Sequence, residues 1–145
     1  MPRPTTIEQG GRAKAYRPLS AARRRAALVA GLAAFERGDA FLAHELLEPA
    51  WMGTAAVGER ELYQGLIKLA ASEVHAVRGN PVGVAKNLRG ALARLGRADD
   101  RFDGGLDLAA IRSVLAERLA ALDHGVPGAG RPMADPRLPR HGPGR

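Results

Sequence analysis

The chain contains no cysteine, and its 145 residues include only one Trp, two Tyr and three Phe. Without thiols there can be no disulfide, no zinc–thiolate centre and no cysteine nucleophile. With so few aromatic rings the core has to be built from Leu, Val and Ala. No run of about 18 consecutive apolar residues is present, so no membrane-spanning helix is expected. The opening stretch MPRPTTIEQGGR has no apolar segment of the secretory-signal kind. Neither a phosphate-cradling P-loop nor a GxSxG nucleophile elbow occurs. These absences predict a cytoplasmic protein of one domain with no membrane partner.

What is present favours helix. Hydrophobic residues make up 46% of the chain, and alanine, abundant among them, loses no side-chain entropy on entering a helix. The formal charge is +7, but it is unevenly placed. Residues 1–19 hold four Lys/Arg and one acid, residues 125–145 hold four Arg and one Asp, and the 20–124 stretch holds 14 basic and 13 acidic residues. A nucleic-acid-binding domain should carry a basic stripe on an ordered face. Here the folded part is nearly neutral, so nucleic acid is not expected as its partner, and only weak contacts through the tails stay open. Arg23-Arg24-Arg25 is the one basic cluster inside the folded stretch, and consecutive residues fan out around a helix, which reads as a solvated face.

The division follows from composition. Residues 1–19 lack periodicity and read as a flexible basic arm. Residues 125–145 contain five Pro and five Gly and read as a disordered tail, so trimming both ends is expected to leave the fold intact. Between them, 20–124 reads as a single all-α domain of five helices. Ser20, Asp39 and Asp107 are placed to cap helices one, two and five, and Asn80-Pro81 opens helix four. Arg37-Gly38-Asp39 and Arg78-Gly79-Asn80 repeat one device: a glycine that lets a helix exit in left-handed geometry, then a capping residue for the next helix. Two such links predict two antiparallel helical hairpins, with the fifth helix closing the bundle.

Helix two carries the most informative residues. On a helical wheel Phe41, Leu47, Glu48 and Trp51 all fall within about 60° of His44, while Leu42 and Leu46 face the other way. This predicts a central helix that buries a His44/Glu48 pair, with Glu45 left to reach water. A buried carboxylate needs a partner, and His44 is one turn away. His44→Ala is therefore expected to destabilise the fold by roughly 1–3 kcal/mol. His and Glu are also metal ligands and general acid/base groups. On helix three, Gln64, Lys68 and His75 share a polar face expected to meet solvent, and His75 is a candidate third ligand. Glu73 falls among Leu62, Leu66 and Leu69, as a second buried acid facing helix two or one, or at an edge with its head in water. Pro49 removes the amide that would bond the Glu45 carbonyl and predicts a kink that leaves the placement of Glu48 and Trp51 open. Asp99, Asp100 and Asp103 lack the spacing of a calcium loop, and His124 and His141 show no partner.

The order Phe35-x-x-Gly38, Ala43-His44-Glu45-x-x-Glu48-x-x-Trp51, Gln64-Gly65-Leu66-Ile67 and His75-x-x-x-Gly79-Asn80 resembles the bacterial and archaeal family called domain of unknown function 309. The likeness covers roughly residues 25–95. It implies a compact all-α domain with an HxxxExxW-type motif proposed to bind metal, and a site drawn from His44, Glu48, Trp51, Gln64 and His75. It implies no substrate.

Three readings stay open. In one, His44, Glu48 and His75 bind a divalent metal ion, with metal-dependent hydrolysis the one enzyme class to test. In another, the polar cluster lines a pocket for a ligand or partner. In the last, the pair is structural and the protein acts through a surface or as a homo-oligomer.

Overall fold

A computed structural model of the chain describes residues 6–9, 12–98 and 102–142. Five helices build the domain: α1 (Ala21–Glu36), α2 (Ala40–Met52), α3 (Val57–Val77), α4 (Pro81–Leu95) and α5 (Leu108–Asp123). A short antiparallel ribbon, β1 (Thr6–Gln9) with β2 (Arg12–Ala15), precedes them within the stretch read as an arm. The all-α bundle expected from composition is what forms. Among the described residues no helix is long and apolar enough to cross a membrane.

The helix starts obey local chemistry. Ser20, Asp39, Asn80 and Asp107 each accept a hydrogen bond from the amide three residues on, at 3.2, 3.1, 3.1 and 3.0 Å. Such caps satisfy amides that have no partner inside the helix. Gly38 and Gly79 take φ of 88° and 69°, which a residue with a Cβ adopts only under strain. Each helix packs on its neighbours in sequence, α1 on α2 through to α4 on α5. The two hairpins and the closing helix are therefore as predicted.

The centre of the bundle is α3 and not α2. Over 21 residues α3 buries Leu62, Tyr63, Leu66, Ile67, Leu69 and Ala70 together with the polar Glu59, Glu61, Gln64, Ser72 and Glu73. α2 buries only Ala43, Leu47, Ala50 and Trp51, while Phe41 is 61% exposed and Leu42 also meets solvent. Apolar content all round α2 thus did not translate into burial all round: its principal neighbours are α1 and α3, and Phe41 and Leu42 stay exposed. α2 also continues through Pro49 to Met52. The proline sits in the last turn, where one missing amide does not end the helix.

The segment after α5 corrects the composition-based expectation of disorder. Its described part runs back over the bundle and is held at five places. Arg118 donates to the Ala129 and Arg131 carbonyls, the latter at 2.6 Å. Glu73 accepts the Met133 amide at 3.0 Å, and Glu36 accepts the Leu138 amide at 2.8 Å together with the Arg140 guanidinium. The Asp107 amide donates to the Pro139 carbonyl, and the His141 amide to that of Gly105. Leu138 is 6% exposed and joins the core. Pro and Gly make the segment unable to fold alone, but they do not prevent it from docking where carboxylates and an apolar socket are already fixed.

Burial pushes the Glu36 carboxyl up, but hydrogen bonds from Arg140 and Leu138 and the charges of Arg140 and Arg137 outweigh it, so its pKa lies below the ordinary 4.5. A carboxylate whose folded pKa is depressed stabilises fully above its unfolded value and loses that contribution as pH falls through the folded one. The docked segment should accordingly loosen only below about pH 4.5, measured by amide hydrogen exchange of Leu138 against pH. Leu138→Ala should cost about 2–4 kcal/mol in a denaturant titration; an unchanged midpoint would show that the segment does not dock.

Candidate metal centre

Asp39 starts α2 and sets its phase, and the helix then places His44, Glu45 and Glu48 along one edge. One ligand atom from each lies within 4.8 Å of the others. His44 and Glu48 are one turn apart and share a side, and the longer Glu45 side chain reaches back so that its Oε1 is 3.6 Å from His44 Nδ1. The group is not buried: the His44 side chain is 28% and the Glu45 side chain 54% exposed, and Glu48 is half-buried. The expectation of a buried brace is corrected accordingly. Glu45, read as a solvent-facing bystander, is the third member of the group.

His75 does not join that group. Its Nδ1 lies 3.1 Å from Asn80 Nδ2, and its ring is wedged at the α3–α4 corner, where a Cβ on Gly83 would come within 2.5 Å of the same nitrogen. Both histidines nevertheless line one cleft of about 160 Å³, with Glu45 and Arg78 beside them. A second cleft of about 330 Å³ continues from it, sharing Phe41, Val74 and Arg78 and ending at Gly38. The result is a groove along the start of α2 and the end of α3, flanked by exposed Phe41 and Val77.

The other residues of the expected site lie elsewhere. Trp51 is fully buried, and its Nε1 has no partner among the described residues. Gln64 is 2% exposed, so the predicted solvent-facing polar side of α3 is instead an interior seam, and the Gln64 Nε2 is likewise without a partner. Glu73 is buried, and its charged partner is Arg118 of α5, not a residue of α1 or α2. Asp99 and Asp100 lie outside the described residues. Asp103 closes its own turn by accepting the Gly105 amide at 2.8 Å and meets His141 at 2.6 Å. His124 Nδ1 lies 2.7 Å from the Ala120 carbonyl.

A set of ion pairs had no signal in the sequence. Arg24 of α1 pairs with Glu59, Arg94 of α4 with Glu61 and Arg118 of α5 with Glu73. Arg24 is therefore not part of a solvated face, although Arg23 and Arg25 are exposed. Tyr63 donates to Glu59 at 2.8 Å, and burial, followed by that carboxylate, pushes the phenol well above its usual range. Partners 33 to 45 residues apart leave no periodicity to read.

The family described as domain of unknown function (DUF309) has a model that matches residues 28–87, and the resemblance read from the motif residues is borne out to that extent. An uncharacterized protein of Aquifex aeolicus (strain VF5) is 33% identical over 94 residues, which is 65% of this chain but 28% of that protein. The chain thus aligns with less than a third of that relative's length. No solved structure matches.

Stability should separate the two polar groups. Glu73→Ala strands Arg118 in a largely buried position and should cost about 3–5 kcal/mol in chemical denaturation. His44→Ala, on a half-exposed edge, should cost less than about 1 kcal/mol. A His44 loss as large as that of Glu73 would return this residue to the role of a brace.

Proposed function

We propose that the stretch matching DUF309 presents a divalent-cation site formed by His44, Glu45 and Glu48, and that this edge of α2 is where the protein acts. The observation that carries the reading is the convergence of one imidazole and two carboxylates, with ligand atoms within 4.8 Å, on a partly exposed edge of α2. One nitrogen and two carboxylate donors suit a borderline or hard divalent ion such as Zn²⁺ or Mn²⁺. A cation held there would supply Lewis acidity and lower the pKa of bound water, so metal-dependent hydrolysis is the reaction class to test. The adjoining cleft, with His75 and Arg78 in its wall, offers a small substrate both a polar end and, along Phe41 and Val74, an apolar side.

The exposure of Phe41 and Val77 along the same groove favours a second reading, a ligand- or partner-binding groove without chemistry. The two part on metal uptake. Protein purified without an affinity tag and equilibrated with Zn²⁺ or Mn²⁺ should hold about one equivalent by mass spectrometry. His44→Ala/Glu48→Gln should hold none and melt like the parent, Glu45→Gln should bind at least about tenfold more weakly, and His75→Ala should bind normally. No metal in the parent would leave the groove reading standing.

A further inference from the structure

The seam between α3 and α4 gathers Lys68, Lys86 and Arg94 but only one acid, Glu61, which pairs with Arg94. α4 contains no acidic residue, and its Lys86, Gly90 and Arg94 recur every fourth position, which places them on one face. Opposite them α3 offers Glu61, Gln64 and Lys68. The Lys68 stem crosses α4 at Gly90: a Cβ there would meet Lys68 Cδ at 2.6 Å and would stand 3.6 Å from Nζ. The lysine is thus laid into a notch that only glycine leaves open, between Lys86 one turn before and Arg94 one turn after.

Lys68 is half-buried. Among the described residues neither Lys68 nor Lys86 has an acidic partner, and Glu61 is already engaged by Arg94 at 3.2 Å. Burial, then the charges of Arg94 and Lys86, hold the Lys68 ammonium below its ordinary pKa. One turn earlier on the same side of α3, Gln64 Nε2 is a buried donor with no acceptor among the described residues. A half-buried ammonium beside two cations costs stability, and so does an amide donor left unsatisfied. One ligand answers both deficits. We propose that this seam is an anion site that takes a tetrahedral oxyanion, a phosphoryl group, between Lys68, Lys86 and the Gln64 amide, with Arg94 behind them. Several charged donors converging on one point are the usual means of holding such a group.

The site is independent of the cation group, which belongs to α2, so either can fail without the other. The test titrates inorganic phosphate into the full chain at constant ionic strength, with chloride as the control because exposed cations respond to salt in general. NMR shifts and the melting temperature are the readouts. Phosphate should give saturable shifts centred on residues 64–68 and 86–94 and raise the melting temperature above that in chloride. Lys68→Met keeps the stem in the Gly90 notch and removes an unpaired charge, so it should fold at least as well as the parent and bind phosphate at least about tenfold more weakly. Lys86→Gln should give a smaller loss. A parallel titration with glycerol phosphate distinguishes the sources: tighter binding than inorganic phosphate means the group arrives attached to a larger molecule, and equal binding means the free anion suffices. Indistinguishable responses to phosphate and chloride, or parent-like affinity in Lys68→Met, would overturn the proposal.

Discussion

Three buried glutamates on one helix, each bound to an arginine from a different helix, set the geometry of this domain. Glu59, Glu61 and Glu73 are all less than 9% exposed, and their partners come from α1, α4 and α5. Burying a carboxylate without a partner carries a desolvation cost that packing does not return, so each of these depends on its arginine. The pairs also bridge helices that are not sequence neighbours: α1 reaches α3, and α3 reaches α5. Packing by neighbours alone would leave the successive angles between hairpins free to drift. The cross-links fix them, and with them the groove beside α2 and the notch at Gly90.

Much of this frame was legible because it is encoded locally. Ser20, Asp39, Asn80 and Asp107 stand where a first turn needs an acceptor, and Gly38 and Gly79 stand where a helix must leave by a positive φ. Such signals depend on a few adjacent residues, and a single sequence displays them. The identity of the central helix was not legible. α2 is the more apolar, yet burial depends on how many neighbours cover a helix, and α3, with its charges, is the one enclosed. The arginine partners lie more than 30 residues away from their glutamates and leave no local mark.

The candidate site divides along the same line. His44 and Glu48 could be placed together from i,i+4 spacing alone. Glu45 escapes a wheel, which describes where a Cβ points and not where a flexible three-carbon side chain ends. His75 was drawn toward the site by its type, whereas its nitrogen serves the α3–α4 corner beside Asn80. Gln64 and Lys68 are polar and read as solvent-facing, yet Gln64 is buried and the Lys68 stem lies against Gly90 of α4.

The attachment of the segment after α5 has a consequence for how the chain comes into being. The hydrogen bond from Leu138 to Glu36 joins residues 102 positions apart, whereas both helical hairpins close over a few residues. On a ribosome, which releases the chain from its amino end, the hairpins and α5 can assemble while the Leu138 socket still has no occupant. A nascent chain arrested in that interval would present an apolar slot over Ile111 and Leu115 to its surroundings. Synthesis of residues 133–139, and not the closing of the hairpins, is thereby the step that covers this slot.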